Sequence, residues 1–532
     1  MNILMLYPKF PAETFWNAAR SLHRFTGSLA NMPPLGLLTL ASYLPPDFCL
    51  RLIDRNCHDE TDEDWRWADV VFLSAMMAQR DDYRVCVNRA RAMGTRIAIG
   101  GPLTHAMRDV AAADADWVCV GEAESIVDQL VADVRADARG TVYEGGNRTD
   151  MTAVRPPRFD LLASLSDYTV MPLQFSRGCP FRCEFCDIIE IYGRVARTKQ
   201  PRQILAELSL LVRSGFKGDV FIVDDNFIGN KRHAKALLKE MATWCREHGY
   251  PYRFYTEASL NLADDDELLR GMYDASFVSV FIGIETAQPR LLKGTLKMQN
   301  IPGDPLRKLE HIRQHGIHVM AGFIIGFDGE DHDVFEEQRT FIEASGIGAA
   351  MLGLLQASPH TQLSRRLERE GRLLPGRRPD GIFTVDGINF VPNGRVTRRE
   401  YLEQFSALAE HLYQPEAFFR RILPALLALR YREKHLGLLK VWWKYWPMLL
   451  RLICAVGFRR NDARPFWNAM LRVLVKNPFA LEAFGYDCFH YYYLHEHVAF
   501  VRKEMQQYLA SPRHDDALDA LAPEMVLHAA AR

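Results

Sequence analysis

Three cysteines, Cys179, Cys183 and Cys186, lie within eight residues in the stretch SRGCPFRCEFCDI, directly after the apolar run PLQFS. A loop this short can bring three thiolates around one metal centre, and soft thiolates suit iron–sulfur clusters or zinc. A structural zinc site would need a fourth ligand, yet the next cysteine or histidine along the chain is His233. Three ligands with one position open fit a four-iron, four-sulfur cluster whose open iron binds a substrate or cofactor. The alternative is three ordinary loop cysteines, which the neighbouring glycine and proline disfavour.

The composition is that of an ordinary folded protein. Of the 532 residues, 48% are hydrophobic and 25% are charged, which excludes a disordered chain, a collagen and a small disulfide scaffold. The net charge of −1 gives no reason to expect a nucleic-acid partner. Ten cysteines are too few for a disulfide framework, the start MNILMLYPKF lacks the pattern of a signal peptide, and no run of about 18 apolar residues is present. We therefore expect a cytoplasmic protein that can at most touch the inner face of a membrane.

Residues 1–140 alternate short apolar runs with helical patterns. The runs are NILMLY, LRLID, VVFLSAM, RIAIGG and WVCVG. Strand and helix repeated at this spacing predict an α/β domain with a doubly wound parallel sheet, whose ligands bind beyond the carboxyl ends of the strands. Residues 141–172 are rich in Gly, Pro and polar residues, so we expect a linker there. The candidate ligand-binding residues at the strand ends are Ser74, Gln79, Gly100, Gly101, Gly121 and Glu122.

Residues 173–375 carry a second series of αβ units. Six apolar runs, the first PLQFS and the last AAMLGLLQA, are separated by helical stretches such as PRQILAELSLLVRSG that end in Gly. Six units are short of the eight in a closed barrel, so we expect a partial, open (β/α)6 barrel. Residues 376–532 are dominated by helical patterns rich in Leu, Trp and Arg, which predict a mainly helical C-terminal domain.

The cysteine triplet at the end of the first strand of this second series resembles the radical S-adenosylmethionine (SAM) superfamily. The resemblance implies that the three cysteines hold a [4Fe-4S] cluster, whose open iron chelates the amino and carboxylate groups of SAM. One electron then cleaves SAM to methionine and a 5′-deoxyadenosyl radical. Carboxylates at strand ends can accept hydrogen bonds from a ribose diol or an ammonium group. Several residues match the family's SAM-binding motifs. The resemblance places Phe185, Gly322 and Gly326 near the adenine, Glu285 at the ribose, and Asp224, Asp225 and Asn226 at the amino group. Glu257 matches at the end of the third strand.

The N-terminal region resembles the cobalamin-binding domain that is fused to many radical SAM enzymes. The stretches PPLGLLTLASYLP, IGGPLTHA and VGEAES occur in that order before the cysteine triplet, and no GxGxxG follows the first strand, which disfavours a dinucleotide. The Asp-x-His-x-x-Gly pattern that supplies a cobalt ligand is absent, because Asp54 is followed by Arg55, Asn56, Cys57 and His58. We therefore predict bound cobalamin with its own base detached, no bond between His58 and cobalt, and a role for His58 as a polar loop residue.

Four further cysteines, Cys49, Cys57, Cys86 and Cys119, raise the alternative of a second cluster, as in the methylthiotransferases that resemble this layout. Those enzymes place a cysteine in the loop after the first strand, whereas residues 7–13 contain none. Free cysteines are commonly small buried hydrophobes, so we predict that these four pack in the sheet.

The whole chain resembles the hopanoid C-2 methylase group and its uncharacterised relatives. The matching stretches are DIIEIYGR, VDDNFIGNKR, GIET, LLQASP and YQPEAFFRR. The chain departs from those relatives at HTQL, where His360 and Gln362 can reshape the substrate end of the barrel and leave the substrate open. The resemblance implies a cobalamin-dependent radical SAM C-methyltransferase that acts on an unactivated carbon of a polyprenoid or other lipid.

The resemblance also implies partners and leaves alternatives. The partners are the small-molecule or lipid substrate and an electron donor such as flavodoxin or ferredoxin. Related enzymes with the same cofactors catalyse oxidation or ring formation without methyl transfer. A corrinoid- or SAM-binding redox sensor is the alternative that is not an enzyme.

The segment 440–460 interleaves aromatic, aliphatic and basic residues. Such a mixture suits a membrane interface, but a core helix of a helical bundle needs an apolar face as well, so the sequence leaves both interpretations open. The residues in question are Trp442, Trp443, Lys444, Tyr445, Trp446, Leu449, Leu450, Arg451, Leu452, Arg459 and Arg460.

Overall fold

The computed structural model describes residues 1–11, 19–146, 149–374, 388–430, 446–459 and 462–510. The chain divides into two compact units. The first comprises Met1–Pro180 and Ile188–Arg253, and the second comprises Phe181–Asp187 and Phe254–Arg532. The division runs through the cysteine loop, so Cys179 belongs to the first unit and Cys183 and Cys186 belong to the second.

The first unit contains a six-stranded parallel sheet. The strands are β1 (Asn2–Tyr7), β2 (Cys49–Asp54), β3 (Val70–Ser74), β4 (Arg96–Gly100), β5 (Trp117–Gly121) and β6 (Thr141–Gly146), and they lie in the order β2-β1-β3-β4-β5-β6. Met5 of β1 is in register with Leu52 of β2 on one side and with Phe72 of β3 on the other. The strand order therefore reverses beside β1, which creates a topological switch point where ligands of such sheets bind.

Helices accompany this sheet in the described part of residues 1–146. They are α1 (Ala19–Thr26), α2 (Leu35–Ala41), α3 (Asp62–Trp67), α4 (Arg80–Met93), α5 (Pro102–Ala106), α6 (Arg108–Asp114) and α7 (Val127–Ala136). Successive residues of β1, from Ile3 to Leu6, are all buried, as expected for a strand covered on both faces. The predicted doubly wound parallel sheet is thereby confirmed.

Strand β6 lies where the sequence predicts the start of a linker. It pairs in parallel with β5, with Thr141 opposite Trp117. Its residues alternate between the two faces, and Tyr143 and Gly145 are buried while their neighbours Glu144 and Gly146 are exposed. The glycines and polar residues of this stretch therefore belong to an edge strand with one face in water.

The second αβ series begins in the first unit. Its strands there are β7 (Val170–Leu173), β8 (Ser176–Arg177), β9 (Arg197–Thr198) and β10 (Asp219–Ile222), and its helices are α8 (Ile188–Ile191), α9 (Pro201–Arg213) and α10 (Lys231–Glu247). Strands β7 and β10 pair in parallel, with Leu173 opposite Ile222, whereas β8 and β9 are antiparallel. The carboxyl end of β7 leads through β8 to Cys179.

The second unit continues the series with four parallel strands. They are β11 (Phe254–Ala258), β12 (Phe277–Glu285), β13 (His318–Ile325) and β14 (Ala350–Leu354), each paired with the next. The helices of this part are α11 (Asp266–Asp274), α12 (Pro289–Gly294), α13 (Pro305–Gln314), α14 (Val334–Ser345) and α15 (Gln362–Arg369). Strands β7 and β10 to β14 are the six strands expected of the partial barrel.

The C-terminal part of the second unit is helical, as predicted. Its helices are α16 (Arg398–Leu412), α17 (Pro415–Ala428), α18 (446–452), which continues as a π-helix over Ile453–Gly457, α19 (Ala463–Lys476) and α20 (Leu481–Ala510). An aromatic cluster holds them together, with Phe419 5.2 Å from Tyr491 and 5.8 Å from Phe466 between ring centroids. Within the part of the chain that the structure describes, every helix is too short or too polar to cross a bilayer.

Candidate functional site

A cavity of about 360 Å³ opens in the first unit at the carboxyl ends of β1, β3, β4 and β5. Five of the residues that the sequence singles out for ligand binding line it, namely Ser74, Gly100, Gly101, Gly121 and Glu122. The opposite wall comes from the second αβ series and includes Arg177, Tyr192, Val223 and Asp225. The cavity thus lies between the predicted cobalamin-binding sheet and the strands that lead to Cys179.

Gly101 shapes the floor of this cavity. Its φ of +89° lies in a region that residues with a side chain rarely adopt. A Cβ atom there would lie 2.7 Å from Ser74 Oγ and 2.8 Å from the carbonyl oxygen of Ala75. The absence of a side chain therefore allows the loops after β3 and β4 to approach each other closely.

Gln79 is not among the residues that line this cavity, and its contact with cobalamin stays a prediction. Its side chain is fully buried, its Oε1 accepts a hydrogen bond from the backbone N–H of Met76 at 2.8 Å, and its Nε2 donates to the carbonyl oxygen of Pro8 at 2.5 Å. The carboxamide therefore joins the loops that follow β1 and β3. Gln79 thus supports the cavity wall by its bonds to these loops.

His58 lies outside the set of described residues that line the cavity. Its Nε2 is 2.9 Å from Asp167 Oδ2, and its side chain is largely exposed. This contact gives the ring a partner within the protein and agrees with a role as a polar loop residue. The absence of a bond to cobalt stays a prediction.

The four further cysteines, Cys49, Cys57, Cys86 and Cys119, differ in their surroundings. Cys86 and Cys119 are buried, and burial raises the pKa of each thiol to about 12, which agrees with packing as neutral side chains. Burial, followed by the charge of Asp54, also raises the pKa of Cys57 to about 12. Cys49 is exposed because it starts the edge strand β2, so the packing prediction is wrong for this residue.

Two buried carboxylates after β5 meet two arginines of the second αβ series. Arg177 makes paired hydrogen bonds of 2.6 and 3.0 Å to the carboxylate of Glu124. Arg197 makes a paired contact with Glu122, whose Oε2 also accepts from the N–H of Thr149 at 2.9 Å. Burial alone would raise the pKa of Glu124, but the bond to Arg177 lowers it below its ordinary value. Sequence analysis misses both arginines, although Arg177 stands in the motif itself, two residues before Cys179.

The backbone around Cys179 is tightly held. Gly178 has a φ of +88°, and a Cβ atom there would lie 2.6 Å from the carbonyl oxygen of Val195. The N–H of Cys179 donates to the carbonyl oxygen of Gly193 at 3.2 Å. Its Sγ accepts a hydrogen bond from Asn226 Nδ2 at 3.8 Å, which gives Asn226 a contact with a predicted cluster ligand.

Asp224 and Asp225 follow β10 and have different surroundings. Asp224 is fully buried, and its two oxygens accept hydrogen bonds of 2.7 Å from the N–H of Phe175 and from Ser176 Oγ. Burial raises the pKa of Asp224 to about 6. These bonds hold β8 in place, so Asp224 supports the cysteine loop. The direct contact of Asp224 with SAM stays a prediction. Asp225 lines the cavity and is the better placed of the two for a ligand.

Cys183 and Cys186 lie in a tight turn of the second unit. The N–H of Cys186 donates to the carbonyl oxygen of Cys183 at 3.1 Å, and Gln299 Nε2 donates to Cys183 Sγ at 3.5 Å. The ring of Phe185 between them lies 5.8 Å from that of Phe327, which follows β13. The turn thus presents two thiols and an aromatic face beside the end of β13.

Glu285, the predicted ribose ligand, is the last residue of β12. It is buried and has a φ of +65°, an unusual conformation for a residue with a side chain, which recurs where function requires it. Its Oε1 accepts a hydrogen bond from the buried amine of Lys297, and its carbonyl oxygen accepts from Gln338 Nε2 at 2.8 Å. Residues of the second unit therefore fix the orientation of the Glu285 carboxylate, and Lys297 supplies the opposite charge.

Lys297 is the main functional candidate that sequence analysis misses in this unit. Burial alone would lower its pKa, but the charges of Glu285 and then of Cys183 outweigh burial and raise it. Its Nζ also lies 5.9 Å from the centre of the Phe185 ring. Lys297 is thus a cation beside Glu285, the ring of Phe185 and the cysteine turn.

The remaining predicted SAM contacts lie on neighbouring strands. Gly322 of β13 is in register with Gly283 of β12. The N–H of Gly326, just after β13, donates to Glu330 Oε2 at 2.8 Å. Glu257 lies in β11 and is half-buried. The contacts of Glu257, Gly322 and Gly326 with SAM stay predictions.

The HTQL departure lies beside the cysteine turn. His360 is exposed with a φ of +65°, and Gln362 begins α15. The N–H of Leu363 donates to the carbonyl oxygen of Glu184 at 2.8 Å, and Arg366 of α15 binds the Glu184 carboxylate at 2.8 Å. A change of sequence at this turn therefore acts close to Cys183 and Phe185.

Two family models match this chain. The family model described as the radical SAM superfamily matches residues 173–342, and one described as a domain of unknown function (DUF4070) matches residues 361–508. An uncharacterized methyltransferase of Synechocystis sp. is 38% identical over 519 residues, which cover 96% of this chain and 94% of that protein. The hopanoid C-2 methylase of Rhodopseudomonas palustris is 35% identical over 484 residues, which cover 89% of this chain and 90% of that protein.

A solved structure shares the fold over nearly the whole chain. The cobalamin-dependent SAM radical enzyme OxsB, with aqua-cobalamin and SAM bound, superposes with a TM-score of 0.60. The match covers 98% of this chain and 83% of that chain at 14% identity. The order of a parallel sheet, a partial barrel and C-terminal helices is therefore a fold seen before.

Proposed function

This chain belongs to the radical SAM superfamily and, within it, to the methyltransferase family that includes hopanoid C-2 methylase, and from this membership we propose that it methylates a polyprenoid lipid such as a hopanoid. The reaction replaces a hydrogen on an unactivated carbon by a methyl group. The observation that carries the substrate class is the 35% identity to the hopanoid C-2 methylase, which extends over 89% of this chain. A match of that length includes the C-terminal helices as well as the barrel.

The cofactors are a [4Fe-4S] cluster, SAM and cobalamin. Cluster ligands are thiols that accept hydrogen bonds from nearby N–H groups. Cys179 accepts such a bond from Asn226, and Cys183 accepts one from Gln299. The cavity of the first unit supports a corrinoid, because it opens at the carboxyl ends of the parallel strands, where ligands of such sheets bind. When bound, the cluster supplies the electron that cleaves SAM, and cobalamin carries the methyl group.

The protein's own residues bind and orient SAM. The carboxylate of Glu285 accepts hydrogen bonds from the ribose hydroxyls, and the ring of Phe185 packs against the adenine. Lys297 donates a hydrogen bond to Glu285 and fixes the position of its carboxylate. Cys179, Cys183 and Cys186 remain the proposed cluster ligands.

The proposed reaction balances with two molecules of SAM and two electrons. One SAM is cleaved to methionine and 5′-deoxyadenosine, which carries off the hydrogen of the substrate. The second SAM gives up its methyl group and becomes S-adenosylhomocysteine. The electrons come from a small protein donor such as flavodoxin or ferredoxin.

Anaerobic reconstitution tests this proposal. The full chain is given iron, sulfide, cobalamin, reductant and methyl-labelled SAM, and is then offered a purified hopanoid. We expect labelled hopanoid together with 5′-deoxyadenosine from the intact protein and from Cys49→Ala, which removes an exposed cysteine outside the triplet. Cys183→Ala is expected to abolish both products.

The same assay decides between the alternatives. A hopanoid product without label would indicate oxidation or ring formation. Bound cofactors without 5′-deoxyadenosine after reduction would indicate a sensor. Labelled product from another lipid class alone would overturn the hopanoid assignment and keep the methyltransferase.

The proposed location is the cytoplasm, at the inner face of the membrane. Low-potential electrons and free thiolates require a reducing compartment. A polyprenoid substrate dissolves in lipid, so the enzyme must meet it at a bilayer surface. Protease protection in spheroplasts would test the location, because a cytoplasmic protein is cleaved only after lysis.

A further inference from the structure

Helix α19 carries large apolar side chains that face solvent. Leu471 is 53% exposed, Leu474 is 38% exposed and Val475 is 80% exposed. Their spacing of three and four residues places them on one side of the helix. The opposite side is buried in the C-terminal helices by Phe466, Ala469 and Val473. The apolar stripe of α19 is therefore separate from the side that holds the helix in the fold.

Positive charge surrounds this stripe. Arg464, Arg472 and Lys476 of α19 are exposed, whereas Asp462, the only acidic residue in 446–459 and 462–476, is buried. An amphipathic helix with apolar residues flanked by arginine and lysine is typical of helices that lie in the interface of an anionic membrane. The 14 residues of α19 are too few to span a bilayer.

A second apolar segment precedes α19. Phe458 is 71% exposed, and its ring lies 6.0 Å from that of Trp467 on α19. Trp446 and Leu450 of α18 are exposed at a spacing of four residues, with the exposed Arg451 beside them. Of the aromatic and basic residues that the sequence offers for a membrane interface, Trp442, Trp443, Lys444, Tyr445 and Arg460 lie outside the described residues.

We propose that the exposed side of α19, together with Phe458, docks on the surface of an anionic lipid bilayer. We call this set the docking face, and it consists of Phe458, Arg464, Leu471, Arg472, Leu474, Val475 and Lys476. The apolar residues insert among the lipid chains, and the cationic residues bind the headgroups. Charge complementarity selects this occupant, because exposed cations with no exposed acid among them match anionic headgroups. The purpose of docking rests on the proposed lipid substrate, whereas the binding itself does not.

Vesicle flotation with the full chain tests the docking face. The vesicles contain phosphatidylcholine alone or phosphatidylcholine mixed with phosphatidylglycerol. We expect the protein to float with the anionic vesicles. Its partition coefficient for neutral vesicles should be lower by about tenfold or more. The double variants Leu471→Ser/Val475→Ser and Arg472→Glu/Lys476→Glu are each expected to weaken binding to anionic vesicles by at least about tenfold.

Two matched controls keep the test specific. Val85→Ser removes an exposed apolar side chain from α4, and Lys239→Glu reverses an exposed charge on α10. Both are expected to float as the unaltered protein does. Equal loss in these controls, or no dependence on anionic lipid, would overturn the proposal. A dimer in solution that dissociates in the docking-face variants would assign the face to a second copy of the chain instead.

The result separates this inference from the proposed function. Methylation of a hopanoid presented in detergent should survive in the docking-face variants, while methylation of the same hopanoid in anionic vesicles should fall at least about tenfold. Flotation without any methylation would leave the docking face standing and reject the substrate. Methylation that is equally fast from vesicles in all variants would reject docking and keep the substrate.

Discussion

Lys297 donates a hydrogen bond to the carboxylate of Glu285 at the end of β12, and both side chains are buried. The pair joins the residue expected to bind the ribose of SAM to a cation whose pKa is also raised by Cys183 and Cys186. Lys297 therefore interacts electrostatically with both the Glu285 carboxylate and the cysteine turn of the second unit. Removal of one member should leave the other charged and without compensation.

The first prediction follows from this buried pair. Lys297→Met should lower the free energy of unfolding by about 3–5 kcal/mol, because Glu285 then stays buried without its cation. Adding Glu285→Gln should return most of that loss, since an amide carries no charge. Guanidinium unfolding measures both changes, and Lys293→Met, at an exposed position of α12, serves as the control with a change within about 0.5 kcal/mol. A loss in Lys297→Met no larger than that of the control would contradict the prediction.

The second prediction concerns Arg177 and Glu124, which are almost fully buried and make two hydrogen bonds of 2.6 and 3.0 Å. A double-mutant cycle with Arg177→Gln and Glu124→Gln should give a coupling free energy of about 0.5–3 kcal/mol, because each single variant weakens the paired hydrogen bonds while the charge of the other residue stays buried. The exposed pair of Arg135 and Asp47 is a suitable comparison, and its coupling should stay below about 1 kcal/mol. Equal coupling in the two pairs would show that burial adds nothing to the first.

Much of this architecture could be predicted from local sequence patterns. The five apolar runs of residues 1–140 and the six of the second series correspond to strands. Burial on both faces leaves a continuous apolar run in strands such as β1 and β3, which makes these the easiest to recognise. The cysteine triplet is equally visible, since its spacing alone brings the thiols into one short loop. Strand β6 was hidden because it buries only alternate residues and carries glycines.

The parts that could not be predicted depend on contacts between distant residues. Arg366 binds Glu184 from 182 positions away, and Arg197 binds Glu122 from 75 positions away. The periodic spacing of apolar residues along a sequence does not indicate which distant residues form such ion pairs. Gln79 is a further example, since its carboxamide bonds to two loops and one of its partners, Pro8, lies 71 positions away.

The third prediction is a pH dependence of stability that arises at Glu330. Burial raises the pKa of this carboxyl group from an ordinary 4.5 to about 7. The folded protein therefore binds a proton that the unfolded chain has released, and the resulting stability is fully present below about pH 4.5 and lost as the pH rises through about 7. The loss should reach about 3 kcal/mol.

Glu330→Gln should remove this part of the pH dependence, because the amide oxygen can still accept the hydrogen bond from the N–H of Gly326. Denaturant unfolding at about pH 5 and about pH 8 measures the slope. Glu368→Gln, at an exposed position of α15, should leave the slope as it is in the unaltered protein. An unchanged slope in Glu330→Gln would assign the pH dependence to other groups, of which Asp224 is the next candidate, with a pKa raised to about 6 by burial.

The fourth prediction tests the floor of the cavity. Gly101→Ala places a Cβ atom 2.7 Å from Ser74 Oγ and 2.8 Å from the carbonyl oxygen of Ala75, so the loops after β3 and β4 must separate. We expect the affinity for cobalamin to fall at least about tenfold, because those loops form the surface on which the corrin would lie. Iron content after reconstitution should be unchanged, since the cysteine loop is not part of this contact.

Gly140→Ala is a close control for that substitution. Gly140 has a φ of +84°, nearly that of Gly101, but no atom lies within 4 Å of the position of its Cβ. Both variants therefore place a side chain at a positive φ, and only Gly101→Ala adds the steric overlap. Equilibrium dialysis with cobalamin compares them. If the two variants bind cobalamin equally well, the approach of the loops after β3 and β4 is irrelevant to the corrinoid, and the cavity loses its strongest structural support.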